Sequence, residues 1–217
     1  MMGPLVTPLG DGALTLTFGN GISEELSEAV VMRARAIGDA AIVGVTDVVP
    51  SYATVTVFYD AATIGYDDMR RRVLDVVGDG VDFEPSSAQV ERRIHRIPVA
   101  YDGEDLAEVA NRTGLSTAGV ISLHSEMEYR VFVTGFVPGF AYLGVLDERL
   151  SLPRREAPRK RVPAGSVAIA ERQTGVYPAS TPGGWHLIGT TTERMFDPRR
   201  SRPALLCVGD LVRFDPL

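Results

Sequence analysis

The chain has 217 residues, with 22 Lys and Arg against 28 Asp and Glu for a formal charge of −6. That length holds one large domain or two small ones, and 45% hydrophobic with 23% charged residues is ordinary for a globular protein. The acidic balance argues against nucleic acid, whose binding rests on neutralising phosphates, and no apolar run approaches the roughly 20 residues of a membrane-spanning helix. Residues 1–11 lack the charged-then-apolar order of a signal peptide. Cys207 is the single cysteine, so no internal disulfide can form. A cytoplasmic location is the expectation.

Taken in order, residues 13–18 alternate apolar and polar as a half-buried strand does. Gly19-Asn20-Gly21 makes a turn, and Ser23 is placed to cap a helix with Glu24 and Glu25 in its first turn. Leu26, Val30, Ala34 and Ile37 share one face of that helix, and Gly38 is suited to close it. Strands are predicted over 41–48 and 52–59, separated by the Pro50-Ser51 turn. A second helix starts at Asp67 or Asp68, turns Met69, Val73, Val76 and Val77 inward and ends at Gly78. A polar connection at 79–91 leads to a fourth strand at 92–99. The order β-α-β-β-α-β is that of a ferredoxin-like unit.

From Asp102 the pattern changes. A short helix through Leu106, Val109 and Ala110 ends at Gly114, and Ser116 caps another that reaches His124. Beyond Tyr129, short β-branched runs alternate with Gly and Pro as far as Phe214, the punctuation of a small barrel. The expected domains are therefore residues 1–92, α+β, and residues 93–217, a β-barrel.

Of the 22 basic residues only Lys160 is a lysine. A phosphate loop ending in G-K-[ST] is excluded, because Arg159 precedes that lysine. An amidase built on a Lys–Ser–Ser set would need Lys160 too, and no serines cluster around it. Ser166 in A-G-S-V-A lacks the final glycine of a nucleophile elbow. No H-x-H, C-x-x-C or H-E-x-x-H spacing occurs, so no protein metal site is expected.

What remains is a polar and aromatic set between Tyr129 and Asp197. The run from Arg154 to Arg161 carries five positive charges. It reads either as a solvated loop or as an anion clamp over the barrel mouth, and least readily as a nucleic-acid contact. Phe136 suits the core. Tyr142, Tyr177 and Trp185 carry polar handles in loop-like contexts, where core packing and ligand contact are equally open. His186 follows Trp185, while His95 and His124 read as structural. Gln173 and Thr174 offer amide and hydroxyl contacts. No self-sufficient catalytic set emerges, which suggests a subunit whose site another chain completes.

The segments G-F-V-P-G-F-A-Y-L-G (135–144), P-R-R-x-x-P-R (153–159), V-P-A-G-S-V (162–167), Q-T-G-V-Y-P (173–178), P-G-G-W-H-L-I-G (182–189) and G-D-L-V-R-F (209–214) resemble the KipI/PxpB family. That family is also called allophanate hydrolase subunit 1, or carboxyltransferase subdomains C and D. The resemblance implies a ferredoxin-like domain followed by a cyclophilin-like barrel. It implies a KipA/PxpC-type partner and a LamB/YcsF-type third subunit. Together they would form an ATP-dependent 5-oxoprolinase, in which ATP with Mg activates the lactam of 5-oxoproline for hydrolysis to glutamate. Other relatives imply half of a biotin-dependent urea carboxylase or allophanate-type carboxyltransferase, or an inhibitor of a sensor histidine kinase.

On this resemblance His186, Tyr142 and Gln173 are the candidate catalytic groups. Arg154 and Arg159 would hold anionic oxygens, and Phe140, Tyr177, Pro182, Gly184 and Trp185 would form the walls. Two departures stand out. Thr190 occupies the place of the Arg in the family's L-I-G-R-T-P, and A-G-G-Q-T becomes Ala170-Glu171-Arg172-Gln173-Thr174. Arg172 and Arg194 are the possible substitutes for that arginine.

Overall fold

Alternating burial marks the two central strands of the first sheet, Ala13–Thr17 and Thr54–Tyr59. The computed structural model describes residues 3–78 and 93–217, and the chain divides into two units, residues 1–91 and 92–217. In the first, β1 (Leu5–Pro8), β2 (Ala13–Thr17), α1 (Glu24–Asp39), β3 (Val45–Ser51), β4 (Thr54–Tyr59) and α2 (Tyr66–Val77) follow one another. The sheet runs β1-β2-β4-β3 with every pair antiparallel. Leu14, Leu16, Val55 and Val57 point from it into one core with Val30, Ala34 and Ile37 of α1 and Met69, Val73 and Val77 of α2. The Ser23 hydroxyl caps α1 by accepting from the Leu26 N–H at 3.2 Å.

Several boundaries differ from expectation. Helix α1 continues through Gly38 and is capped at Ala40, whose N–H reaches the Ala36 carbonyl. Helix α2 starts earlier than either aspartate, after Gly65. Gly78 does end it, at a positive φ of 70°. The larger correction concerns the strand expected at 92–99. Ile94–Val99 does not join the first sheet as a βαββαβ unit requires, but pairs in parallel with the C-terminal strand of the second unit. Among the described residues, the place beside β2 is filled by β1. An alternating strand pattern fixes which face is buried and not which strand lies alongside. The connection expected at 79–91 lies outside the described residues.

The second unit contains β5 (Ile94–Val99), α3 (Leu106–Thr113), α4 (Thr117–Ser125), β6 (Glu128–Thr134), β7 (Ala141–Gly144), a 3-10 turn (Glu148–Leu150), β8 (Arg159–Val162), β9 (Ser166–Ala170), β10 (Gln173–Val176), β11 (Thr181–Gly183), β12 (His186–Thr190) and β13 (Leu211–Pro216). Seven strands form one sheet in the order β12-β9-β10-β7-β6-β13-β5. Its two ends meet where Ala100 and Thr190 exchange backbone hydrogen bonds of 2.9 and 2.7 Å. The result is a nearly closed, barrel-like sheet. Strands β8 and β11 form a separate ribbon.

Strand β9 shows how this sheet is layered. All five of its residues are buried, because both faces are covered. Val167 and Ile169 enter the barrel core with Ile97, Val131, Leu143, Val212 and Phe214. Ala168 and Ala170 face the opposite way, toward Phe140, Val162, Tyr177, Trp185 and Leu187. No helix among the described residues is long and apolar enough to cross a membrane.

Candidate functional site

Among the described residues, a cavity lies at the outer cluster. Glycine lets the rings around it pack closely at two points. A Cβ on Gly175 would lie 2.9 Å from the Ala141 carbonyl oxygen and 3.2 Å from the Phe140 ring. A Cβ on Gly183 would lie 2.3 Å from the Tyr177 hydroxyl. Phe140 is the hub of the aromatic group, meeting Tyr142, Tyr177 and Trp185 edge-on with centroid distances of 4.9, 5.3 and 5.6 Å. Around them opens a cavity of about 200 Å³, whose lining includes Phe136, Arg154, Pro158, Pro182, Gly183 and Gly184. The setting of β9 places this cavity on the outer face of the sheet, beside the β8–β11 ribbon.

Among the described residues, Arg154 is the only charged side chain in that lining. It is half exposed, with Nε 3.9 Å from Glu171 Oε1. Burial pushes the Tyr177 phenol up, against the pull of a hydrogen bond to the Trp185 backbone, so the hydroxyl remains a proton donor. Phe136, expected in the core, is 58% exposed and sits on the rim, its ring 5.7 Å from that of Phe140. It lies at the centre of a tight turn closed by Val137 N–H to Gly135 O at 2.8 Å, with φ of 68°. That backbone points a large apolar ring outward.

Three expected site residues are placed elsewhere. His186 pairs with Ile169 across β12 and β9, so it shares the face that enters the barrel. It is fully buried, and its Nε2–H donates to the Pro153 carbonyl at 2.9 Å, which fixes the tautomer. Gln173 is buried in β10 opposite Ala170. Arg159 is held by Asp105 at 2.6 Å and Glu104 at 2.7 Å. Burial pulls its guanidinium pKa down, and those carboxylates reverse this and leave it raised. Neither Gln173, His186 nor Arg159 lines the cavity. The structure does bring together Phe140, Tyr142, Arg154, Tyr177, Pro182, Gly184 and Trp185.

Asp105, which no motif marked, is the group that sequence reasoning missed. It is 3% exposed and accepts from Arg155, Arg159 and the Leu187 N–H. Its partners are 50, 54 and 82 residues away, so no local spacing announces it. His95 bonds Asp210 at 3.1 Å. Among the described residues, no group of three acidic, His or Cys side chains is arranged to hold a metal.

A family model described as "Carboxyltransferase domain, subdomain C and D" matches residues 4–206. The B-type subunit of 5-oxoprolinase from Bacillus subtilis (strain 168) is 40% identical over 96% of this chain and 91% of that protein. Its counterpart of the same name from Escherichia coli O157:H7 is 54% identical over 61% of this chain and 62% of its own length. Among solved structures, TTHA0988 superposes with a TM-score of 0.84 at 41% identity, over 94% of this chain and 40% of that longer one.

Proposed function

The chain belongs to the family of carboxyltransferase domains, subdomains C and D, and from that premise we propose that it is the B-type subunit of an ATP-dependent 5-oxoprolinase. It acts with a KipA/PxpC-type partner and a LamB/YcsF-type subunit to open 5-oxoproline to glutamate, and it is inactive alone. The observation that carries the reading is the cavity itself: apolar ring faces beside a single guanidinium, Arg154. 5-Oxoproline is a flat five-membered lactam bearing one carboxylate. Its ring suits the cavity wall that Phe140, Tyr142 and Trp185 form, and its carboxylate suits Arg154. The aromatic walls exclude water from the lactam, and the Tyr177 and Tyr142 hydroxyls are hydrogen-bond donors for its oxygen.

The cavity does not fit Mg-ATP. One guanidinium and no carboxylate group cannot balance a triphosphate and its metal, and we assign ATP to a partner chain. His186, buried and turned into the barrel, is placed to support Pro153 and not to touch the substrate. We also take the nearly closed sheet to be a cyclophilin-like barrel.

Glutamate formation from 5-oxoproline and Mg-ATP tests this, with the chain alone and then with both partner types. Turnover is expected only in the three-part mixture. Arg154→Ala should raise KM for 5-oxoproline roughly tenfold to a hundredfold, the loss of one charge-assisted hydrogen bond. A mixture that assembles and makes no glutamate rejects 5-oxoproline as the substrate. The carboxyltransferase reading, for which the family description carries the word, would then replace it.

A further inference from the structure

We propose that Asp105 is a positioning residue for the aromatic cavity, joining the segment that carries Arg154 and Pro158 to the strand that follows Trp185. The proposal deepens the reading of this cavity as the ligand site and rests on it.

Asp105 Oδ1 accepts from Arg155 Nη1 at 2.9 Å and from Arg159 Nη2 at 2.6 Å. Its Oδ2 accepts from the Leu187 N–H at 2.7 Å, while its own N–H donates to the Leu187 carbonyl at 3.0 Å. One side chain thereby reaches two separate pieces of the cavity wall. Arg155 follows Arg154 directly, and Arg159 follows Pro158. The wall is further joined by Arg155 N–H to Gly184 O at 2.8 Å and by the pairing of Arg159 with Gly183 between β8 and β11.

Charge makes this arrangement depend on Asp105 in particular. Two guanidiniums converge on one buried oxygen, and each is also met from outside, Arg159 by Glu104 and Arg155 by Glu108. The outer carboxylates are far more exposed than Asp105. They are screened by water and hold weakly. Without the buried charge, the two cations face each other across a neutral group, and the outer carboxylates draw them toward solvent. The segment carrying Arg154 and Pro158 then leaves the face of Trp185.

Trp185 is the only tryptophan in the chain and is 4% exposed, so its fluorescence reports on this wall without any ligand. In Asp105→Asn, which keeps the side-chain shape, acrylamide quenching of Trp185 should rise about threefold or more, as local opening exposes the ring. Val109→Ala is the control, since Val109 is a fully buried neighbour on α3 whose truncation weakens the barrel core. It should lower Tm and leave quenching unchanged. Equal quenching in Asp105→Asn and the wild type, or an equal rise in Val109→Ala, overturns the proposal. Should Asp105→Asn fail to fold, Arg155→Gln decides the matter by removing one tether from the half-exposed side. A rise in quenching is expected there, and no change overturns the proposal. Because the readout needs neither substrate nor partner chains, a wrong substrate leaves it interpretable. In the reconstituted complex, Asp105→Asn should raise KM more than it lowers kcat.

Discussion

Glu171 and Phe136, beside the cavity, both hold backbone angles that L-residues seldom adopt, with φ of 54° and 68°. Glu171 stands at the tip of the β9–β10 hairpin, where the resembled family has glycine, and its carboxylate approaches Arg154. It therefore has two opposing effects. It strains the turn, and it offers the cavity's one cation an internal anion. Glu171→Gly should raise the unfolding free energy by about 0.5–1 kcal/mol in urea titrations, relief of strain exceeding the added chain entropy. It should also tighten carboxylate binding by up to about fivefold, the scale of an exposed ion pair. A variant both weaker in binding and less stable would contradict this account of the rim. At this scale the sequence was legible only in part: Tyr142, Tyr177 and Trp185 line the cavity, and Tyr177 and Trp185 are at the same time buried members of the packed outer cluster, so residue type left both placements open. Phe136 is exposed and not in the core because its positive φ, which nothing in its type announces, turns the ring outward. His186 lies away from the cavity because its register opposite Ile169 turns it to the barrel face of β12.

Elements were legible where a local rule closes them. Ser116 caps α4 through its hydroxyl, accepting from Gly119 N–H at 3.0 Å, and Gly114 ends α3 at φ of 72°. The joins between elements were not, and His124 is one such join. From α4 its Nδ1 accepts from the Tyr101 hydroxyl at 2.7 Å, and its Nε2–H donates to Thr174 of β10 at 2.8 Å. The Thr174 hydroxyl in turn donates to the Ala168 carbonyl of β9 at 3.1 Å. Every proton in this relay has a place only while the imidazole is neutral. Complete burial holds the His124 pKa down at about 3, against about 6.5 for the unfolded chain. Below pH 6.5 the unfolded state therefore takes up a proton that the folded state refuses. Stability contributed here is intact above pH 6.5 and falls by up to about 1.4 kcal/mol per unit as pH drops toward 3. Urea titrations at pH 7.5 and 5 should show a loss of about 2 kcal/mol in the wild type beyond that in His124→Gln. Parallel losses in the two proteins would remove His124 as the cause.

At the scale of the whole molecule, the difference between expectation and structure lies in one strand. Ile94–Val99 has the alternation of an edge strand for either sheet, and only its parallel register with β13, from Ile94 opposite Leu211 to Val99 opposite Pro216, assigns it to the second. That register is a pairing across more than a hundred residues, which no window of sequence contains. It also has a consequence for folding. With β5 included, the barrel core draws all its buried residues from Ile97 to Phe214, and the sheet closes through Ala100 and Thr190. A fragment of residues 92–217 thus contains every strand of the sheet and the complete aromatic cluster of the cavity. We expect it to fold alone, with one cooperative urea transition and the same shielded Trp185 emission as the full chain. A fragment starting at residue 101 lacks β5 and Ala100, leaving β13 with an unpaired edge and the end of β12 unclosed. It should be unfolded or aggregate. If the longer fragment is also unfolded, the second unit is not an independent domain, and the expected division near residue 92 describes only where the contacts thin out. If both fragments fold alike, β5 belongs to the barrel by geometry but contributes little to its stability.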